Sequence, residues 1–222
     1  MELKKLRLRI VLVDAHPILR EAFADFINRE PDLQVCGQTG NAMTALAEIK
    51  AVNPNLVLVD ISLNGGTGIN LIKQIKRDCP EAFILAFSDQ DEILYAERAL
   101  RAGARGYVMK QAPTDEVMAA IRKVARGARY LSRNMQERML ENFGSSNGGP
   151  SPGMACLSDR ELEVFKMIGN GSSSREIAEQ LHLSIKTVET YRAHIKEKLG
   201  LRNGVQLVHM AVQNLRDGGR FA

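Results

Sequence analysis

Asn55-Leu56-Val57-Leu58-Val59-Asp60 is the stretch that decides the fold. Four apolar residues in a row, two of them β-branched, predict a short strand buried on both faces. An acid closes the run. Open sheets of parallel strands keep their binding sites along the carboxyl edge, so this reading puts Asp60 on that edge rather than in the core.

Outward from it, residues up to about position 130 alternate strand and helix. Leu8 to Val13 is a β-branched apolar strand. Pro17 opens a helix with Ile18, Leu19, Ala22, Phe23, Phe26 and Ile27 expected on one face, and proline is well placed in a first helical turn. Leu33 to Cys36 reads as a short strand and Ala42 to Val52 as a helix. Gly65 to Gly68 reads as a loop, followed by a helix through Ile69, Leu71, Ile72 and Ile75 that ends near Pro80. Ala82 to Phe87 is a strand, Asp91 to Ala102 a helix, Tyr107 to Met109 a brief strand, and Pro113 to Arg126 a helix. Parallel strands need crossovers, so this order predicts a five-stranded parallel, doubly wound α/β sheet with helices on both faces, flavodoxin-like in class.

The strands end at Asp14, Asp60, Ser88 and Lys110, which a parallel sheet brings to one rim from positions 46, 28 and 22 residues apart. A lone loop aspartate is usually a turn or helix cap; polar groups at four of five strand ends make a site. Their chemistry suits phosphoryl transfer to a carboxylate. Aspartate can act as nucleophile and form an acyl phosphate. The transferred group carries charge on its equatorial oxygens and needs cations around it. Lys110 and Ser88 can serve those oxygens, and Mg2+ could take Asp14, Asp60 and waters as ligands.

The remainder differs. Arg129 to Phe143 includes a helical pattern with Met135, Met139, Leu140 and Phe143. Gly144 to Gly153, built of Gly, Ser, Asn and Pro, reads as a flexible tether. The expected domains are therefore residues 1–128, a linker helix and tether at 129–156, and a small all-α domain at 157–222. In the last, Ser158-Asp-Arg-Glu161 has capping-box spacing and opens a helix with Leu162, Val164, Phe165 and Ile168. A second helix runs from about Ser173 to Leu181. His182-Leu183-Ser184 makes a tight turn into a third helix ending near Leu199, the helix-turn-helix signature. At about 100° per residue, Val188, Tyr191, Ile195 and Leu199 share a buried stripe. Lys186, Glu189, Thr190, Ala193, His194 and Glu197 face the other way, with Arg192 and Lys196 at the flanks. Such a face suits a major groove, with flanking cations on phosphates and central side chains at base edges. Val205, Val208, Val212 and Leu215 form a last helical stripe.

Composition sets the bounds. The chain has 222 residues, 45% hydrophobic and 25% charged, and a net charge of +4, ordinary values for a soluble globular protein. Ten Lys/Arg against eight Asp/Glu from Leu157 onward leave that segment at only +2, so a DNA argument has to come from pattern, not charge. No apolar run reaches the ~18 residues of a membrane span, and Ile10 to Val13 is too short for a signal peptide; a cytoplasmic location and no membrane partner are expected. Cys36, Cys79 and Cys156 are scattered, which argues against disulfides and zinc.

The motifs Val-Leu-Val-Asp14, Leu-Val-Asp60-Ile-Ser-Leu, Ala-Phe-Ser88 and Gly106-Tyr-Val-Met-Lys110 resemble, in order, those of a two-component receiver domain. The resemblance implies that Asp60 accepts a phosphoryl group from a sensor histidine kinase, that Ser88 and Tyr107 form the switch pair, and that Mg2+ sits with Asp14, Asp60 and Ser62. Receivers usually carry two adjacent acids after the first strand; here the second is Ala15, which predicts a weakened Mg2+ site. Asn64 stands where proline is usual, and Thr67 where aspartate is common. Leu157-Ser-x-Arg-Glu161, Glu176-Ile-Ala178, Ser184-x-x-Thr-Val188, Ile195-x-x-Lys-Leu-Gly200 and Leu207-Val208 resemble the LuxR-type helix-turn-helix. The whole chain is thus similar to response regulators of the NarL/FixJ type. This implies a homodimeric transcription regulator binding double-stranded promoter DNA, with Lys186, Thr187, Glu189, Thr190, Arg192, Ala193 and Lys196 as contacts and the final helix pairing two copies. Glu189 stands where lysine is frequent. The alternative is an atypical receiver controlled by dimerisation, a ligand or a partner instead of phosphate, which Ala15 keeps open. An Asp-nucleophile phosphohydrolase is disfavoured, because its general acid usually lies two residues after the nucleophile, and Ser62 is there.

Overall fold

A computed structural model describes residues 7–144 and 154–216, and the chain divides into two compact units, 1–144 and 145–222. The segment from Ser145 to Gly153, read above as tether, lies outside the described residues.

The first unit is built on a five-stranded parallel sheet of β1 (Leu8–Val13), β2 (Leu33–Thr39), β3 (Leu56–Val59), β6 (Phe83–Ser88) and β7 (Gly106–Met109), in the order β2-β1-β3-β6-β7. A two-stranded antiparallel piece, β4 (Ser62–Leu63) and β5 (Gly66–Thr67), lies between β3 and the next helix. The crossovers are α1 (Pro17–Asn28), α2 (Ala42–Val52), α3 (Gly68–Asp78) and α4 (Glu92–Ala102), and α5 (Thr114–Ala125) follows β7. Strand periodicity splits the core between two faces. Ile10, Leu12, Leu56 and Leu58 pack with Ala24 and Ile27 of α1 and with Val117, Ile121 and Val124 of α5. The alternate residues Val11, Val13, Val57 and Val59 are equally buried and face the α2–α4 side, as a period of two requires. The strand order reverses between β1 and β3, where doubly wound sheets bind ligands. Asp14 and Asp60 directly follow those two strands.

Several expectations are corrected. β2 extends to Thr39, three residues past Cys36, because a register shift at Ile10/Val11 lets Gly37, Gln38 and Thr39 pair along β1. The Gly65–Gly68 segment is not a simple loop. Asn64-Gly65 turns the β4–β5 hairpin with Gly65 at φ +73°, and Gly68 already belongs to α3. On α1 Phe23, Phe26 and Ile27 pack inward as expected, together with Ala24; Ile18 is 85% exposed, and Leu19 and Ala22 also face out. The helical pattern expected between Arg129 and Phe143 is present as α6 (Arg133–Gly144), within the first unit. It packs on α4, with Met135 buried and the Ser132 hydroxyl donating to Glu92 Oε1 at 2.8 Å just before it.

The second unit contains α7 (Asp159–Gly169), α8 (Ser174–Leu181), α9 (Ile185–Lys198) and α10 (Gly204–Arg216), preceded by a 3-10 turn at Met154–Cys156. Three serines start three helices: Ser158 and Ser173 in full capping boxes with Glu161 and Glu176, and Ser184 accepting from the Thr187 amide. His182 adopts φ +54° between α8 and α9, the left-handed residue that lets a short turn end one helix and start the next. The core gathers Leu162, Val164, Phe165, Ile168, Ile177, Val188, Ile195, Leu207 and Ala211. On α9 the buried stripe is centred on Val188 and Ile195, with Tyr191 and Leu199 half-buried. α10 buries Leu207, Ala211 and Asn214, while Val205, Val208 and Leu215 of the valine stripe are exposed, Val205 at 78%.

Candidate functional site

Asp60 leaves the buried end of β3 with its carboxylate 1% exposed and fully engaged. Its Oδ1 accepts from the Ser88 hydroxyl at 2.6 Å and from the Ser62 backbone amide at 3.2 Å. Its Oδ2 pairs with Lys110 Nζ at 2.7 Å. The same ammonium reaches Asp14 Oδ2 at 2.7 Å, with the lysine side chain only 6% exposed. Four residues from the ends of four strands therefore form one connected cluster, as the sequence predicted. Burial would lower the Lys110 ammonium, but hydrogen bonding and charge from Asp14 and Asp60 outweigh it and raise the group above its ordinary value.

Tyr107 is completely buried on β7, and its hydroxyl donates to the Gln90 carbonyl at 2.6 Å, two residues beyond Ser88. Burial drives its phenol well above the usual range, so it stays a neutral donor. The aromatic and the hydroxyl of the expected switch pair thus both hold the start of the loop after β6. Ser62 contributes its backbone amide, while its side chain is exposed.

Two residues near the pocket were not singled out from the sequence. The His16 amide donates to Asp14 Oδ1 at 2.9 Å, and its Nδ1 lies 3.2 Å from the same oxygen. Arg20 Nη1 donates to the Asp14 carbonyl at 2.7 Å. The signal for His16 was its place two residues beyond a strand-end acid. Arg20 is found only once the turn of α1 is known.

For a divalent cation, the candidate ligand atoms of Asp14, His16 and Asp60 lie within 4.8 Å of one another. Two buried carboxylates are hard oxygen donors of the kind Mg2+ takes. Each Oδ2 is shared with a single ammonium and keeps a lone pair. The donor set therefore fits a cation, with one carboxylate fewer than the two adjacent acids of a receiver would supply.

In the second unit the outward face of α9 carries Lys186, Glu189, Thr190, Ala193, His194 and Glu197, all exposed, with Thr187, Arg192 and Lys196 half-buried at its edges. Glu189 is tied back, accepting from the Ser174 hydroxyl at the start of α8 and standing 3.8 Å from Arg192 Nε. Thr190 donates to the Lys186 carbonyl at 3.0 Å. The helix is braced at its far end by Glu161, which is buried and accepts from the Ser158 amide at 2.7 Å and from Lys198 Nζ at 2.6 Å. Burial opposes the charge on Glu161, but Lys198 and Ser158 hold it below the ordinary carboxylate range. Its contribution to stability is therefore present above the unfolded carboxylate's pKa and lost as pH falls through the lower folded value. Glu161→Ala should cost roughly 2 kcal/mol near neutrality, from the lost cap and the charged hydrogen bonds. Thermal unfolding of the full chain at neutral and acid pH should show that penalty shrinking in acid; an equal penalty at both would contradict the assignment.

Comparison with known proteins agrees with this geometry. Residues 10–122 match the family model of the response regulator receiver domain, and residues 155–211 that of bacterial regulatory proteins of the luxR family. The oxygen regulatory protein NreC of Staphylococcus aureus (strain MRSA252) is 32% identical over 211 residues, covering 93% of this chain and 97% of NreC. Among solved structures, RcsB of Salmonella typhimurium aligns at 25% identity and a TM-score of 0.72, over 94% of this chain and 98% of RcsB. RcsB bound to promoter P1flhDC in the presence of the phosphomimetic BeF3- aligns at 25% identity and a TM-score of 0.68, over 92% and 98%. Among the described residues no helix is long and apolar enough to cross a membrane. With a buried acid cluster at the switch point of one unit and a helix-turn-helix in the other, this chain belongs to the NarL/FixJ-type response regulators, DNA-binding transcription regulators that join a receiver to a LuxR-type helix-turn-helix.

Proposed function

We propose that Asp60 accepts a phosphoryl group from a phosphohistidine of a sensor kinase in the cytoplasm, and that the added charge changes dimerisation and promoter binding by the C-terminal domain. The observation that carries this reading is the Asp60 carboxylate, buried at the switch point with Ser88 on one oxygen and Lys110 on the other. One Asp60 oxygen attacks phosphorus as the P–N bond breaks, and the imidazole nitrogen leaves with the electron pair. Lys110 then pairs with a phosphoryl oxygen and Ser88 donates to another, spreading the charge of a group whose transfer depends on positioning and electrostatics. Mg2+ held by Asp14, Asp60 and the Ser62 segment supplies further positive charge to the same oxygens when bound. Because Ser88 and the Tyr107 hydroxyl both bond the Ser88–Gln90 segment, turning Ser88 toward the phosphoryl group moves the loop that begins α4.

The organisation we infer is a receiver at 1–128, a linker at 129–156 and a DNA-binding domain at 157–222. The relative RcsB has been solved bound to promoter DNA, and the reading for this chain is that α9, the second helix of the helix-turn-helix, enters the major groove. Lys186, Arg192 and Lys196 hold phosphates, while Thr187, Glu189, Thr190 and Ala193 meet base edges. Ser174 fixes the Glu189 carboxylate, which suits it to accept from a cytosine amino group. The exposed Val205, Val208 and Leu215 of α10 give the second copy an apolar surface.

Incubating the full chain with a small phosphodonor and Mg2+ tests the first step. Intact mass should show one added phosphoryl group, absent from Asp60→Asn. An adduct of equal yield on Asp60→Asn, or none on the wild type even with a purified kinase, would overturn the assignment of Asp60.

A further inference from the structure

We propose that His16 supplies the ligand position that Ala15 leaves without a carboxylate, so that the pocket is selective for a first-row divalent ion of the Mn2+ class over Mg2+. The inference rests on reading Asp14 and Asp60 as the phosphoacceptor pocket, and it concerns which cation that pocket prefers.

Three observations carry it. First, Asp14-Ala15-His16-Pro17 places a methyl group beside the strand-end acid and an imidazole one residue further on. Second, the chain turns so that the ring comes back to the pocket: the His16 amide bonds Asp14 Oδ1, and Nδ1 stands 3.2 Å from that oxygen. One ring nitrogen of His16 and one oxygen from each of the two buried acids lie within 4.8 Å of one another. Third, the ring is free to close the remaining distance. Its side chain is 59% exposed, and its recorded polar partner is the very carboxylate that would share the ion. With the proton on Nε2, Nδ1 offers a lone pair. Binding an ion there replaces the 3.2 Å contact with a metal–nitrogen bond, while Asp14 Oδ1 keeps the His16 amide as donor and has a lone pair left to ligate.

The chemistry of the donor set decides the preference. Mg2+ holds its waters tightly and prefers an all-oxygen shell. Mn2+ takes carboxylate oxygens as Mg2+ does, and as the first of the transition ions in the affinity order it also accepts a nitrogen ligand more readily than Mg2+. Two carboxylates and one imidazole therefore cost the pocket Mg2+ affinity and retain Mn2+. Lys110 constrains the arrangement further. Its ammonium already neutralises one charge on the paired Oδ2 oxygens, so a cation that gains a bond to nitrogen has an advantage over one that relies on charge alone.

Mn2+ is the probe, added to the full-length protein without phosphodonor, so that the outcome is independent of whether Asp60 is ever phosphorylated. Titration calorimetry should give a dissociation constant for Mn2+ about tenfold or more below that for Mg2+. Pulsed electron paramagnetic resonance of the bound Mn2+ should show nitrogen modulation from one imidazole. His16→Ala, a change at an exposed ring, should abolish the modulation and weaken Mn2+ roughly tenfold while leaving Mg2+ binding unchanged. Ala15→Asp should strengthen Mg2+ and close the gap between the two ions. Asp60→Asn should weaken both. Bound Mn2+ without nitrogen modulation, or His16→Ala with unchanged Mn2+ affinity, would overturn the proposal. So would a wild type that binds Mg2+ as tightly as Mn2+.

Discussion

Gly68→Ala is expected to destabilise the receiver by about 3 kcal/mol or more. Gly68 is the first residue of α3, and a Cβ there would lie 2.0 Å from the Asp60 carbonyl oxygen and 2.7 Å from the Ile61 Cα. Both obstacles are backbone, so no side-chain rotation relieves them. The Gly68 amide also donates to the Ile61 carbonyl at 2.9 Å, which pins the start of α3 against the end of β3. Helix propensity works in the opposite direction, favouring alanine by up to ~1 kcal/mol, and the overlap outweighs it. Relief requires α3 to retreat from β3, which moves Asp60 relative to Ser88 and Lys110. Calorimetry of the full chain should show the receiver transition roughly 10 °C lower, with the helix-turn-helix transition unchanged. An unaltered receiver transition would mean that the contact between α3 and β3 is looser than described.

Lys110→Met should cost about 3–5 kcal/mol, the range for removing one partner from a buried ion cluster. Methionine keeps most of the apolar stem, so the loss isolates the charge. Asp14 and Asp60 are then left as two buried carboxylates facing each other without the ammonium that bridges them. The pH dependence has a defined sign. Because the lysine is raised above its ordinary value when folded, its contribution is complete below the unfolded lysine pKa and disappears only as pH climbs through the folded one. The full penalty is therefore expected at neutral pH, and the wild type should lose this advantage only in strong alkali. Denaturant unfolding at neutral pH checks it. A loss below ~1 kcal/mol would show that the two acids do not depend on Lys110 for their burial.

Much of this pocket could be read from the sequence, because it depends on residues at the ends of strands, and strands are what a period of two and runs of valine and leucine reveal. Asp14, Asp60, Ser88 and Lys110 follow from strand order alone, and Tyr107 from the resemblance. What could not be read depended on how the chain turns. His16 returns to the Asp14 carboxylate only through the conformation between β1 and α1. Gly68 contacts Asp60 because the β4–β5 hairpin folds α3 back onto β3; the Asn64-Gly65 pair signalled a turn, but not where it would direct the helix. The errors on helices have a single cause. An apolar stripe marks a helix but does not say which neighbour it meets, so Ile18, grouped with Phe23 and Ile27 on one face of α1, stands in solvent, and the valine stripe of α10 is largely exposed while Leu207 and Ala211 pack inward. On α9 the face was found correctly, while the tie between Glu189 and Ser174 was hidden, since it joins two helices across the turn.

The exposed apolar stripe of α10 and the polar face of α9 belong to the unit that reads DNA, and Asp60 to the unit that receives the signal. The account stands on a coupling between them. The most direct test is fluorescence anisotropy of a genomic DNA fragment, selected by pull-down with this protein, titrated with full-length wild type and Asp60→Asn in the presence and absence of beryllofluoride and Mg2+. The account predicts that beryllofluoride shifts the affinity of the wild type and leaves Asp60→Asn unmoved. Identical binding curves for wild type with and without beryllofluoride, on a protein shown by mass to carry the adduct, would contradict it.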